Sequence, residues 1–191
     1  MLDQLVQYDK ELFLFLNGLG STTWDGFWMF YTDKVHWIPF YGILAYFMYK
    51  RSNTKMFVLT VVVIALMILF TDQITNLFKK VLVRRPRPCH EDDLIQVMRL
   101  VKSSCGGAFG YFSGHASNSM AVAIFSGLVL RYKYKYLIYF LIVWAIVMAY
   151  SRVYIGVHYP LDILSGMLFG AFSGVLFYKL DKYFQSRFQL K

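Results

Sequence analysis

Two apolar runs without a charged residue, Met56–Phe70 and Tyr136–Tyr150, restrict this chain more than any other feature of its sequence. Each run contains fifteen residues, and a helix that crosses a bilayer needs about 20 mostly apolar ones. The composition agrees, because 58% of the 191 residues are hydrophobic and only 16% are charged. Soluble domains are about 45–50% apolar and about 25% charged. The sequence therefore predicts an integral membrane protein and excludes a soluble enzyme.

Five membrane spans are predicted. The run that begins at Met56 extends past polar residues to about Phe78, and the span that begins at His115 is weaker, with serines that imply a face turned into the bundle. An extension of the first span back to Trp24 stays open, although charged residues interrupt it at 33–36. The spans are Trp37–Tyr49, Met56–Phe70, His115–Leu130, Tyr136–Tyr150 and Ile163–Tyr178. They predict an all-α, polytopic helix bundle with a single domain over residues 1–191.

The N-terminal segment, residues 1–20, has a different pattern. Its apolar core is too short to cross a bilayer, and Asp9, Lys10 and Glu11 lie inside it. This pattern favours an amphipathic helix at the membrane interface. A tilted sixth span is the alternative, so the bundle is expected to have five to six transmembrane helices.

The net charge of +9 points to an anionic partner. In a chain this apolar, that partner is expected to be an anionic lipid or a phosphate group and not a nucleic acid. Basic residues in the predicted loops are divided between both sides of the membrane, so their number does not decide the orientation. One group, within Lys79–Lys102, is concentrated enough to suggest a binding site.

Three segments at the ends of predicted spans carry the candidate chemistry. The first contains Lys80 and continues to Arg87 and Pro88. Its successive X-Pro steps stop the preceding helix and hold the chain extended, which presents Arg85 and Arg87 at the membrane surface. A juxtamembrane basic cluster that binds lipid headgroups is the alternative interpretation.

The second segment is Ser113-Gly114-His115, directly before a predicted span. Ser113 is a good N-cap, Gly114 lets an anion approach free backbone N–H groups, and His115 falls in the first helical turn. An ordinary cap with a solvent-facing histidine is the alternative.

The third segment contains Arg152, His158 and Asp162 around the start of the last span. Pro160 suits the first turn of that helix, which puts Asp162 within the same turn and His158 just before it. A carboxylate there can bind one ring nitrogen of the histidine and leave the other free to attack. Interfacial snorkelling of the arginine and a purely structural His–Asp hydrogen bond are the alternatives.

In order and spacing, the three segments resemble the three-part signature of the type-2 phosphatidic acid phosphatase superfamily. Six residues separate Lys80 from Arg87, five separate Arg152 from His158, and three separate His158 from Asp162. One departure is visible, because the family usually has proline before Ser-Gly-His and this chain has Phe112. We expect this change to alter the rigidity of the loop and to leave the chemistry intact.

The resemblance implies a metal-independent phosphatase that needs no cofactor. It implies that His158 attacks phosphorus and forms a phosphohistidine, while Asp162 fixes the tautomer of the ring. His115 would protonate the departing oxygen and then activate water. Cationic side chains and backbone N–H groups would bind the phosphate, and these are supplied by Lys80, Arg87, Arg152, Ser113 and Gly114.

The expected activity is hydrolysis of a lipid phosphate or diphosphate. Undecaprenyl diphosphate is favoured because the chain is compact and has no extra domain, and phosphatidylglycerophosphate or lipid A phosphatases are the alternatives. A polytopic scaffold that binds anionic lipids is the non-enzymatic alternative, but it gives no reason for the histidines and Asp162. A transporter fits less well, because the candidate residues lie at span ends and not at mid-membrane.

The resemblance also predicts a location. It places the catalytic surface outside the cytoplasm, so we expect a bacterial inner membrane protein whose active site faces the periplasm or exterior. Loop 89–112 then lies on the catalytic side and contains both cysteines, Cys89 and Cys105. We hypothesise that they form a disulfide, which requires an oxidising compartment. Two unrelated free thiols are the alternative.

Overall fold

The computed structural model describes residues 2–189; Met1, where the predicted N-terminal segment begins, lies outside the described residues. This part of the chain folds into eight α-helices without a named strand, which confirms the all-α class. A π-helical turn, Phe78–Leu82, continues α4. The helices are α1 Leu2–Gly18, α2 Thr22–Thr32, α3 Ile38–Arg51, α4 Thr54–Leu77, α5 Asp92–Ile95, α6 Gly114–Leu130, α7 Leu137–Tyr154 and α8 Pro160–Arg187.

All five predicted spans correspond to helices of the bundle. Three helices are long and apolar enough to cross a membrane, namely α4 with its continuation, α7 and α8, while α6 is apolar but shorter. The extension of the first span back to Trp24 is wrong. Asp33 ends α2, and its Oδ1 accepts a hydrogen bond from the Val35 N–H (3.0 Å), which starts a short 3₁₀ turn before α3.

Helix α6 packs closely on α8 because glycines on α8 let the two backbones approach. A Cβ atom at Gly166 would lie 2.6 Å from the Ser113 carbonyl oxygen, and one at Gly174 would lie 2.8 Å from the Ala121 carbonyl oxygen. Close approach of this kind is common where small residues line a membrane helix. The contact holds the beginning of α6 beside the beginning of α8, where the second and third candidate segments lie.

Helix α1 docks on the bundle through one buried face. Asp9, Phe13 and Asn17 recur every fourth residue and are at most 4% exposed. The Asn17 side chain donates to the carbonyl oxygens of Val153 and Tyr154 at the end of α7 (3.1 and 3.0 Å). With 17 residues, α1 is not among the three long apolar helices, and its interfacial orientation stays a prediction. The Asp9 carboxylate is buried against other residues of the chain.

Loop 89–112 is fastened to the bundle at several points. The structure joins Cys89 and Cys105 by a disulfide, with Cα atoms 6.0 Å apart. The Arg99 guanidinium pairs with both carboxylate oxygens of Asp25 (2.9 and 3.0 Å). These links hold the loop over the end of the bundle at which α6 and α8 begin.

Candidate active site

The three predicted segments meet at one end of the bundle, around a cavity of about 710 Å³. Arg87 comes from the chain after α4, His115 from the first turn of α6, and Arg152 from the last turn of α7. His158 comes from the short connection between α7 and α8. Because these residues are distant in sequence, only the packing of α4, α6, α7 and α8 brings them together.

His158 is held by the start of α8. Pro160 is in the first turn of this helix, as predicted, and Asp162 is two residues further on. The Asp162 Oδ2 atom lies 3.2 Å from His158 Nδ1 and accepts the Tyr159 backbone N–H (3.1 Å). With Nδ1 engaged by the carboxylate, Nε2 is the ring nitrogen left for attack.

Burial keeps His158 in its neutral form. The side chain is 2% exposed, and burial lowers its pKa well below the usual value, with the charges of Arg87 and Arg152 adding to the effect. A neutral imidazole has the free electron pair that a nucleophile needs. The space beside it requires Gly110, because a Cβ atom there would lie 2.9 Å from Asp162 Oδ2.

Cationic side chains line the cavity in front of His158. The Arg87 Nε donates to the Phe109 carbonyl oxygen (3.3 Å) and its Nη1 to the Val157 carbonyl oxygen (3.5 Å). Arg152 is 5% exposed, and its Nη1 donates to Thr32 Oγ1 (2.7 Å). Neither arginine forms an ion pair with a carboxylate of residues 2–189. Arg152 is buried and Arg87 is half-buried. Cations removed from water in this way need an anion, which a phosphate group would supply.

The structure does not bring Lys80 to this cavity, which its neighbour Lys79 lines instead. Lys79 lines the cavity, whereas Lys80 is exposed and is not among the lining residues. Thr71, Thr75 and Lys79 follow one another at four-residue intervals along α4 and its π-helical continuation, and the two threonines are at most 2% exposed. A Cβ atom at Gly114 would lie 3.5 Å from Thr75 Cγ2 and 3.6 Å from Lys79 Nζ. Consecutive residues of a helical turn point in different directions, and Lys80 is exposed on another face of this turn.

The Ser113 N–H is likewise not available to a phosphate. Ser113 is the N-cap of α6, as predicted, and its Oγ accepts the Ala116 N–H at 3.5 Å. Its own N–H donates to the Asp162 carbonyl oxygen (2.9 Å), and the residue is fully buried. Gly114 and His115 do line the cavity, and N–H groups in the first turn of a helix have no partner within it. These amides are the ones that can face an anion.

Arg85 lies behind His158, where its guanidinium pairs with two carboxylates of the protein. Its Nη1 is 2.6 Å from Asp9 Oδ2 and 3.3 Å from Asp162 Oδ1, and its guanidinium carbon is 3.9 Å from the centre of the Tyr159 ring. Sequence reasoning missed this arrangement. The four-residue spacing of Asp9 and Phe13 on α1 was the available signal, but it does not name the partner.

Phe112, at the position where proline is usual, is 4% exposed and packs between Phe78 and Phe169, each with a ring-centroid distance of 5.2 Å. The ring thus joins the π-helical turn to α8 beside the Ser-Gly-His segment. The effect of this residue on loop rigidity remains a prediction.

The same cavity continues away from the charged residues as an apolar groove. Its wall follows α4 from Lys79 to Phe57, a rise of roughly 30 Å at 1.5 Å per residue. This length is comparable to the hydrocarbon thickness of a bilayer, about 30 Å. The other apolar lining residues include Leu44, Met48, Val61, Ile64 and Ile68. A molecule that fills the whole cavity would have an anionic head and long apolar chains.

A buried histidine held by a carboxylate, facing unpaired cations at the head of an apolar groove, is the arrangement of a lipid phosphatase. The family comparison agrees: the chain belongs to the PAP2 superfamily, whose model matches residues 58–186. The protein is accordingly a membrane lipid phosphatase of the PAP2 type.

Two similar relatives are lipid A 4'-phosphatases. The one from Bacteroides thetaiotaomicron is 38% identical over 190 residues, which covers 99% of this chain and 84% of the relative. The one from Porphyromonas gingivalis is 32% identical over 188 residues, which covers 97% of this chain and 78% of the relative. An undecaprenyl-diphosphatase from Sulfolobus acidocaldarius is 25% identical over 182 residues, covering 94% of this chain and 81% of that relative.

A solved structure shares the fold. The PAP2-type phosphatidylglycerolphosphate phosphatase from Bacillus subtilis superimposes with a TM-score of 0.71 at 20% identity, covering 94% of this chain and 87% of that one. At this identity the likeness concerns the fold alone. It supports the arrangement of the helices that position the candidate site.

Proposed function

We propose that this protein removes the 4'-phosphate from lipid A. One structural observation carries the lipid part of the proposal: a single cavity joins His158, Arg87 and Arg152 to an apolar groove along α4. A soluble phosphate ester would leave that groove empty, whereas acyl chains would bury apolar surface in it. The identity of the lipid rests on the similarity to two lipid A 4'-phosphatases over nearly the whole chain.

This proposal replaces the expectation of undecaprenyl diphosphate. Similarity to an undecaprenyl-diphosphatase is only 25%, against 38% and 32% for the lipid A 4'-phosphatases. The alternative that named lipid A therefore has better support than the first choice. Compactness, the reason given for the undecaprenyl carrier, does not distinguish the two, because the lipid A relatives align along 84% and 78% of their own lengths.

The first chemical step is transfer of the phosphoryl group to His158. Asp162 accepts the Nδ1–H, and the electron pair of Nε2 attacks phosphorus. The bond between phosphorus and the sugar oxygen breaks, and that oxygen takes a proton from His115. Lys79, Arg87 and Arg152 spread the negative charge of the three remaining oxygens, which is the main requirement of phosphoryl transfer.

The second step returns the enzyme to its starting state. His115, now neutral, accepts a proton from water, whose oxygen attacks the phosphohistidine. The N–P bond breaks, its electrons return to Nε2, and inorganic phosphate leaves. The same histidine serves as acid and then as base, as reversal of a proton transfer requires.

The charge neutralisation in this mechanism comes from side chains of the protein. Three cations face the phosphate position, and in residues 2–189 no group of three or more His, Cys, Asp or Glu is placed to hold a metal ion. We therefore propose that activity needs neither a metal ion nor a cofactor.

We propose that the active site faces the periplasm of a bacterial inner membrane. The disulfide between Cys89 and Cys105 lies in the loop over the site and supports this orientation, because such bonds persist in oxidising compartments. Thiol labelling of denatured protein from native membranes, without reductant, should detect no free cysteine. Quantitative labelling of both residues would contradict a periplasmic bridge.

A panel of purified lipids tests the substrate. Phosphate release is measured with lipid A, undecaprenyl diphosphate, undecaprenyl phosphate, phosphatidylglycerophosphate and phosphatidic acid, each with the wild type and His158→Ala. We expect the highest kcat/KM with lipid A and loss of the 4'-phosphate, identified by mass spectrometry of the product. Preference for another lipid, or loss of a different phosphate, would contradict the lipid A assignment.

A further inference from the structure

The cavity has more positive charge than one phosphate group requires. Five cationic side chains line it, against one carboxylate, Asp72, which accepts a hydrogen bond from Asn118 (2.8 Å). A phosphate monoester has a charge of about −1.5 to −2. Lys79, Arg87 and Arg152 suffice for that charge, so the two other lining cations, Lys34 and Lys102, are left without a role.

The backbone that leads into Lys34 is held close to Arg152. Two residues before Lys34, Thr32 Oγ1 accepts the hydrogen bond from Arg152 Nη1 (2.7 Å). The intervening Asp33 caps the turn in which Lys34 lies, through the Val35 N–H (3.0 Å). The lysine itself is exposed, which places it at the mouth of the cavity.

Lys102 is fixed near Arg87. Three residues after it, Cys105 is held by the disulfide, and a Cβ atom at the next residue, Gly106, would lie 3.7 Å from Arg87 Nη1. On the other side, the Val101 N–H donates to the Ile155 carbonyl oxygen (3.4 Å). Lys102 is half-buried. Within residues 2–189, neither Lys34 nor Lys102 forms an ion pair.

We propose that Lys34 and Lys102 form a second anion subsite at the mouth of the cavity, for another phosphate or carboxylate on the same lipid headgroup. This inference rests on the proposed lipid phosphatase function. Lysine ammonium groups bind such anions as point charges without a fixed geometry. The two lysines lie outside the group of cations that faces His158, namely Lys79, Arg87 and Arg152. They therefore stabilise the bound substrate and the transition state equally, so they affect KM and leave kcat nearly unchanged.

The test compares two lipids and two sets of variants. The lipids are the same acylated glucosamine disaccharide with the 4'-phosphate alone or with phosphates at both ends. Lys34→Gln/Lys102→Gln removes the subsite. Lys55→Gln is the control, because Lys55 is an exposed lysine that does not line the cavity.

We expect the double variant to raise KM about five- to tenfold for the bisphosphorylated lipid and less than about twofold for the monophosphorylated one. The control should change neither. Unchanged discrimination, or an equal loss with both lipids, would overturn the subsite.

Binding to inactive protein separates this inference from the proposed function. Affinity for each lipid is measured in the His158→Ala background, with and without the lysine substitutions. If protein that retains His158 releases no phosphate, but binding of the bisphosphorylated lipid depends on the two lysines, the proposed phosphatase function is wrong and the subsite stands. If phosphate is released but binding does not depend on them, the subsite is wrong and the function stands.

A second inference comes independently from the carboxylates behind His158. We infer that Asp9 is a positioning residue, which acts on Asp162 through Arg85. The Arg85 Nη1 is shared between Asp9 Oδ2 (2.6 Å) and Asp162 Oδ1 (3.3 Å), and Asp9 Oδ1 accepts the Leu161 N–H (2.8 Å). Asp9 thus binds both the arginine and the backbone of the turn that contains Asp162. It lies outside the region 58–186 that the family model matches.

Removing the Asp9 charge should impair His158 as a nucleophile and leave the cations that bind the phosphate in place. Without its partner, Arg85 would move fully onto Asp162 and weaken the carboxylate's hold on His158. We expect Asp9→Asn to lower kcat about five- to tenfold with KM within about twofold, and Glu11→Gln, an exposed carboxylate of α1, to change neither. Equal changes in KM and kcat, or unchanged kcat in folded Asp9→Asn protein, would contradict the positioning role.

Discussion

Arg85 and Arg87 are two residues apart, and each precedes a proline, yet they have opposite surroundings. Arg85 lies between the carboxylates of Asp9 and Asp162, at 2.6 and 3.3 Å. Arg87 lines the cavity and donates to two backbone carbonyl oxygens, and no carboxylate of residues 2–189 pairs with it. A buried cation whose counterion belongs to the protein supports the structure, whereas one without a protein counterion is available for an anionic ligand. The two sides of His158 differ in this respect.

The extended backbone of this segment explains how neighbouring arginines reach opposite sides. The Arg87 N–H donates to the Ala108 carbonyl oxygen (3.2 Å), and the Gly110 N–H donates to the Arg85 carbonyl oxygen (2.9 Å). Pro86 and Phe109 thereby pair as in an antiparallel bridge. This pairing fixes residues 85–87 against residues 108–110, which lead to Ser113. The position of each arginine therefore depends on both stretches of chain.

On the side of His158 that faces the cavity, the largest loss of rate is expected for His115→Ala. General acid catalysis supplies about 10²–10⁴-fold, and the sugar alkoxide that leaves from a lipid monophosphate needs the proton. A diphosphate substrate should lose less in phosphohistidine formation, because its leaving group is a phosphate monoester with a second pKa of about 6. Single-turnover trapping of the phosphoenzyme measures this step. Equal slowing with both lipids would show that His115 is not the leaving-group acid.

A pair of neighbouring lysines tests which of them belongs to the site. Lys79→Ala should lower kcat/KM about 10- to 100-fold, because it removes a charge that lines the cavity. Lys80→Ala should change it less than about twofold, because Lys80 is exposed outside the cavity. Steady-state phosphate release from the same lipid gives both values. The reverse order would restore the assignment of Lys80 and refute the helix face described above.

A smaller effect is expected for Arg152→Lys, which retains the charge but loses the planar set of donors. The Arg152 guanidinium binds Thr32 through Nη1 and has further N–H groups for a phosphate. Lysine cannot reproduce two parallel hydrogen bonds, so we expect kcat/KM to fall about tenfold. Arg187→Lys, in the last turn of α8, is the control. Wild-type activity in Arg152→Lys would mean that the charge alone matters.

Chelation should have no effect on activity. If side chains neutralise the phosphate, phosphate release is the same with and without EDTA, and vanadate inhibits because it can adopt the five-coordinate geometry of the transferring phosphorus. The assay is run with dialysed protein. Loss of activity in EDTA, with recovery on addition of one specific divalent ion, would refute metal independence.

Short-range rules predicted several parts of the site from the sequence. Ser113 caps α6, Pro160 begins α8, and Asp162 reaches His158, because each relation spans only a few residues. The spans could be predicted from the lengths of apolar runs, because a run length is also a property of one continuous stretch of sequence. Motif spacing selected Lys80, whereas the structure places Lys79 beside Gly114, because spacing says nothing about which face of the π-helical turn after α4 meets Gly114.

Contacts between distant parts of the chain could not be predicted in this way. Asp9 meets Arg85 and, 152 residues away in sequence, Leu161 at the start of α8. Thr32 meets Arg152 across four helices. A charged residue in an apolar helix signals an exposed position or a buried partner equally well. Only the packed bundle distinguishes these two cases.

The most direct test of the account is to locate the phosphoryl group on the protein during turnover. Wild-type protein is mixed with 4'-³²P-labelled lipid A, quenched under alkaline conditions that preserve phosphohistidine, and analysed for label. We predict label on His158, none in His158→Ala, and an unchanged amount in His90→Ala, which removes an exposed histidine of loop 89–112. Label retained in His158→Ala, or phosphate released by that variant at the wild-type rate, would contradict the central claim.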